Sequence, residues 1–82
     1  MARRPAPKRL REAFARNLVR LREARSWTQE ELARRAGISR TYIGNVENCM
    51  YAASLDVIEK AAHALGVQPL EMLRPPRERK SK

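Results

Sequence analysis

Little in this sequence is suited to covalent chemistry or metal binding. It holds one cysteine, Cys49, so an intramolecular disulfide is excluded and a reducing compartment is expected. Its one histidine, His63, lies in an alanine-rich stretch with no Asp, Glu or Cys at metal or triad spacing around it. Glu59 stands four residues earlier, so a helix-face pair is the plain reading. One Cys and one His cannot build a structural zinc site. The three glycines are spread singly, which excludes a glycine-rich phosphate loop. Glu30 and Glu31 are neighbours, so on a helix they face different sides and do not form an acid–base pair. We therefore expect no enzyme, no cofactor, no metal and no small-molecule ligand. No apolar run approaches the roughly 20 residues that span a bilayer, and no signal peptide is recognisable. The expectation is a soluble, cytoplasmic protein.

Acidic residues are scarce as well. Eighteen Lys and Arg face nine Asp and Glu over 82 residues, a formal net charge of +9. Such an excess points to a polyanionic partner. The charge is unevenly placed. Residues 1–25 carry nine basic and two acidic side chains, residues 26–73 four and six, and residues 74–82 five and one. Met1 to Pro7 contains Arg3, Arg4, Pro5 and Pro7, a composition expected of a flexible basic arm. Some DNA-binding domains lay such arms along the minor groove. Pro75 and Pro76 should stop regular structure, and residues 74–82 read as a disordered basic tail. The domain itself is expected over residues 8–73, long enough to fold alone around a small core.

What is present, between the two basic ends, is a densely punctuated stretch from Thr28 to Glu47. Thr28 is placed to N-cap a helix, and Glu31 to complete a capping box with it. Trp27 and Leu32 have the spacing of a hydrophobic staple. Gly37 supplies the left-handed residue that ends a helix. Ser39 caps a second helix at once, with Ile38 and Ile43 at staple spacing. Two capped helices so close together cannot lie antiparallel; they cross steeply, as in a helix-turn-helix. Leu32, Ala33 and Ala36 share one face of the first helix, and Ile43 and Val46 one face of the second. Outward on the second helix remain Arg40, Thr41, Gly44, Asn45 and Asn48, a polar face with good base-edge chemistry.

The flanks supply further helices. From Lys8 to about Arg25, Leu10, Phe14, Leu18 and Leu21 recur at helical period and are expected in the core. Arg9, Arg16 and Arg20 lie largely off that stripe. Arg22 falls on it, and a buried guanidinium needs a partner. Glu47, four residues after Ile43 on the inner face of the second motif helix, is the natural one. Ser54 should cap the next helix, which Gly66 ends. Its core stripe is read as Leu55, Ile58, Ala62 and Leu65. Val57, Ala61 and Ala64 form a second apolar stripe. With Val67, Leu70 and Met72 from a last short helix begun by Pro69, that stripe exceeds what a monomer needs. A dimer interface through Val57, Ala61, Val67, Leu70 and Met72 is therefore expected, against the alternative of a wider core.

Taken together, Gln29, Ala33, Gly37, Ile43, Val46 and Glu47, with the flanking Leu18, Leu21, Arg22, Ser54, Leu55, Leu65 and Gly66, resemble the Cro/repressor-type helix-turn-helix family. That family includes lambdoid phage repressors and restriction-modification controller proteins. The resemblance spans roughly Arg9 to Leu73. It implies an all-α fold, a compact five-helix bundle with a central helix-turn-helix, and an ion pair between Arg22 and Glu47. The chain departs from the family after Glu47, where a glycine is usual at Cys49 and a proline common at Ala53. Either the second motif helix runs on, or Cys49 is strained.

The functional expectation is a sequence-specific transcriptional regulator that binds double-stranded DNA at a palindromic operator as a homodimer and controls its own gene. The alternative is an antitoxin-like module that covers a protein partner, with DNA binding secondary. A third reading, an amphipathic membrane-surface protein using the basic first helix, is opposed by the capped motif, which specifies a globular core. In this docking mode the start of the recognition helix meets base edges. Arg40, Thr41 and Asn45 are the expected base contacts. Gln29, Ser39, Tyr42, Arg16, Arg20 and Asn48 are the expected phosphate contacts.

Overall fold

The computed structural model describes residues 9–75; the expected arm at residues 1–7 and the tail from residue 76 onward lie outside them. Five helices follow one another: α1 (Arg9–Ala24), α2 (Gln29–Ala36), α3 (Arg40–Glu47), α4 (Leu55–Leu65) and α5 (Pro69–Leu73). Three of the four longer helix starts to be accounted for use side-chain caps. The Thr28 hydroxyl accepts from the Glu31 N–H, the Ser39 hydroxyl from that of Tyr42, and the Ser54 hydroxyl from that of Val57. Glu31 does not close a capping box. Its carboxylate turns outward to Arg34 and Arg35, one turn on, and these guanidiniums hold its pKa below the usual carboxylate range, Arg35 first and then Arg34.

Helix ends α1 to α4 share one device. A residue with positive φ stands at the stop: Ser26 (59°), Gly37 (71°), Cys49 (59°) and Gly66 (74°). The following N–H bonds back across five residues: Trp27 to Arg22, Ile38 to Ala33, Met50 to Asn45, Val67 to Ala62. This is the Schellman closure, which satisfies carbonyls the helix leaves over. Glycine fills it twice, at no steric cost. Ser26 and Cys49 fill it without glycine. So α3 does not run on past Glu47; it stops on schedule, and Cys49 carries the left-handed conformation.

Within the core lie Phe14 and Leu18 of α1, Leu32 and Ala33 of α2, Ile43 and Val46 of α3, Ile58, Ala61, Ala62 and Leu65 of α4, and Met72 of α5. The sequence stripes need two corrections. Leu10 and Leu55 are exposed, at 61% and 79%. Each stands at the start of its helix, where side chains lean toward the N-terminus and project off the end of the bundle. Conversely, Ala61 and Met72 are fully buried in this one chain, so neither is free for a dimer interface. The reason is that α4 packs against α2, α5 and α1 at once, which demands an apolar face wider than one stripe. Ala64 and Val67 are half-buried against the same core.

A buried polar residue completes the packing. Asn17, 3% exposed, donates from its amide to the carbonyls of Met72 at 2.8 Å and Arg74 at 2.9 Å, with Glu71 at 3.3 Å. Those carbonyls end a five-residue helix and have no intrahelical partner, so one side chain of α1 docks α5.

Candidate nucleic-acid interface

α2 and α3 pack together through Leu32, Ala33, Ile43 and Val46, and this fixes which face of α3 turns outward. Arg40, Thr41 and Asn48 are exposed along α3 and its end, and Asn45 and Gly44 are half-buried beside them. Asn48 is the C-cap, its N–H bonded to Gly44 and Val46 carbonyls, so its side chain is not required for capping. The Ser39 hydroxyl accepts the Tyr42 N–H, which leaves its own hydrogen to donate. The Tyr42 ring packs against the core, and its hydroxyl accepts from the Ser54 N–H at 3.4 Å. Its ring centroid is 6.0 Å from that of Tyr51, so the two tyrosines brace the loop between α3 and α4.

Arg22 and Glu47 meet side to side. Arg22 Nε donates to Glu47 Oε2 at 2.7 Å, and Nη2 to Oε1 at 3.0 Å. A third donation, Nη1 to the Trp27 carbonyl at 2.8 Å, ties the α1–α2 loop to the same guanidinium. The side chains are 12% and 5% exposed. The hydrogen bond to Glu47 raises the Arg22 pKa above its ordinary value, against the opposing effect of burial. Sequence spacing indicated this pair. It did not indicate the next member: Gln29 Nε2 donates to Glu47 Oε1 at 2.8 Å. One amide hydrogen of Gln29 is thus committed within the protein, and one remains. No periodicity signals such a bond, because Gln29 and Glu47 are 18 residues apart on different helices.

Arg16 and Arg20 are exposed on α1 and line a surface cleft whose far wall is Glu47 and Cys49. The basic side of α1 therefore adjoins the C-terminal end of α3, next to Asn48. Glu12 and Glu23 line the same cleft and offset part of the charge. Arg20 also donates to Asn17 Oδ1 at 3.3 Å. Among the expected dimer residues, Leu70 is exposed at 74% and Val57 is half-buried; Ala61 and Met72 face inward.

The family model for helix-turn-helix domains, HTH_3, matches residues 18–72, which contain the whole of α2, α3 and α4. The chain belongs to this helix-turn-helix family. Known members resemble it closely. The crystal structure of the hypothetical transcription factor NHTF from Neisseria superimposes with a TM-score of 0.80 at 42% identity, covering 93% of this chain and 87% of that one. The restriction-modification controller protein C.AhdI from Aeromonas hydrophila gives 0.72 at 39% identity, over 76% and 94%. Control protein C.BamHI of Bacillus amyloliquefaciens is 40% identical over 65 residues, 78% of this chain and 80% of its own. This helix-turn-helix protein is thus a DNA-binding transcriptional regulator and not an enzyme. Among its described residues no helix is long and apolar enough to cross a membrane.

Proposed function

We propose that the protein binds a palindromic DNA operator as a homodimer and regulates its own gene through its concentration. The observation that carries the reading is α3. One face is locked into the core by Ile43 and Val46, and the other carries Arg40 and Thr41, both exposed, with Asn45 half-buried beside them. Arg40 has the planar fork that pairs with guanine O6 and N7, Thr41 suits a thymine methyl, and Asn45 suits adenine. Ser39, Tyr42 and Asn48 flank these positions, and Gln29, Arg16 and Arg20 stand on the neighbouring helices; they serve the phosphates. Likeness to control proteins of restriction systems supports a regulator of this size.

For the dimer, the buried Ala61 and Met72 drop out, the half-buried Val57 and Val67 and the exposed Leu70 remain, and the exposed Leu55 of α4 joins them. Two leucines exposed above 70% on a chain this small favour a second copy as their cover. A two-fold axis there presents two copies of α3 to major grooves about 34 Å apart. The test is a footprint of the purified protein on DNA upstream of its own gene. Protection of two half-sites one helical turn apart is expected. Protection of a single half-site by a monomer at full affinity would overturn the dimeric operator.

A further inference from the structure

We propose that Asn17 is the positioning residue of the dimer interface, an inference that rests on the homodimer read above: Asn17 holds α5, and with it Leu70, where a second copy can cover it. α5 cannot keep its own place. It has five residues, whereas an isolated helix needs about 12–15 to be even marginally stable in water. Gln68 makes no side-chain cap at its start. Its end lacks the device that closes α1 to α4. The C-cap Arg74 is extended, at φ −72° and ψ 127°, so no left-handed residue turns the chain back onto the last carbonyls. Pro75, which follows, has no N–H to offer them.

Asn17 closes α5 from another helix. Its amide hydrogens reach the carbonyls of Met72 at 2.8 Å and Arg74 at 2.9 Å, with that of Glu71 beside them at 3.3 Å. The amide is oriented from both ends. Arg20 donates to Oδ1 at 3.3 Å, and a flipped amide would set its oxygen against those carbonyl oxygens. At 3% exposure Asn17 cannot itself touch a partner; its effect must pass through what it holds. Two residues apart on a helix point about 200° away from each other. Met72, fully buried, and Leu70, 74% exposed, therefore face opposite ways. Seating Met72 with its carbonyl on Asn17 sets the direction in which Leu70 stands. Leu55 needs no such support, since α4 has eleven residues and is capped by Ser54. Holding Leu70 in place beforehand leaves less to be ordered when a second copy arrives, which strengthens association.

The experiment measures dimer dissociation by sedimentation equilibrium on the full chain, well below each variant's Tm, with hydrogen exchange on the same samples. Asn17→Leu, similar in volume but without donors, should raise the dissociation constant about tenfold. The amides of α5 should then exchange faster, while those of α2 and α3 keep their protection. Asn17→Ser, which keeps one donor on a shorter side chain, should fall between Asn17→Leu and the parent. Leu70→Ala should also weaken the dimer, and the double variant Asn17→Leu with Leu70→Ala no more than Asn17→Leu alone. Ile43→Val, a core change on α3, should lower Tm and leave dissociation as in the parent. An Asn17→Leu protein that dimerises as tightly as the parent would overturn the proposal. So would additive losses at Asn17 and Leu70, or an equal weakening by Ile43→Val, which would make the effect one of general stability. A parent that is monomeric throughout would instead overturn the homodimer on which the proposal depends.

Discussion

Glu47 shows how much can rest on one carboxylate. It accepts from Arg22 twice and from Gln29 once, and it links α1, α2 and α3 in a site only 5% open to solvent. Glu47→Ala would strand a guanidinium that is 12% exposed, a loss on the order of 3 kcal/mol. A melt overlaying that of the parent would contradict this. Cys49 is the converse case, a residue the fold merely tolerates. At φ 59° it holds a cap position that glycine would occupy without strain. Cys49→Gly should therefore stabilise by about 1 kcal/mol, read as a higher midpoint in denaturant at an unchanged slope. A lower midpoint would mean that the thiol's packing in the cleft beside Arg16 and Arg20 outweighs the backbone.

At the level of helices, the punctuation was legible and the extent of burial was not. Thr28, Ser39 and Ser54 announced starts, and Gly37 and Gly66 announced stops, because caps act within four residues of chain. The ends at Ser26 and Cys49 left no such mark: the same hydrogen bonds form there without glycine. Burial depends on neighbours that sequence does not place. Periodicity gave Leu10 and Leu55 to the core although each overhangs its helix end, and gave Ala61 and Met72 to a partner although α4 is enclosed on several sides. Arg40, Thr41 and Asn45, the residues proposed to read bases, were chosen as the complement of a local pattern, and the structure leaves Arg40 and Thr41 exposed and Asn45 half-buried. The Gln29–Glu47 bond was not found, being tertiary. The exposed leucines carry a prediction at this scale. Leu55→Asp with Leu70→Asp should give monomers by light scattering while the helical signal persists, because neither side chain supports the core. A parent protein that is already monomeric at micromolar concentration would contradict the interface.

For the molecule as a whole, charge and shape divide the work. The net +9 lies mainly in residues 1–25 and 74–82, while the stretch that contains α2 to α5 is slightly acidic. Attraction to DNA is thus expected from α1 and the chain ends, and discrimination from α3. If about six phosphates are neutralised, log K should fall against log salt with a slope near −5. Removing Met1 to Pro7, which carries Arg3 and Arg4, should make that slope shallower and leave the preferred sequence unchanged. Binding insensitive to salt would contradict this division.

The central claim is that α3 reads bases, and Arg40 tests it most directly. In a binding selection on randomised duplexes, the parent should enrich a palindrome with a guanine preference in each half-site. Arg40→Ala should lose about 1–3 kcal/mol on that site and lose the preference at one base pair per half-site, with the other positions retained. Equal weakening on every sequence, with the guanine preference intact, would contradict the account and assign Arg40 to the phosphate backbone.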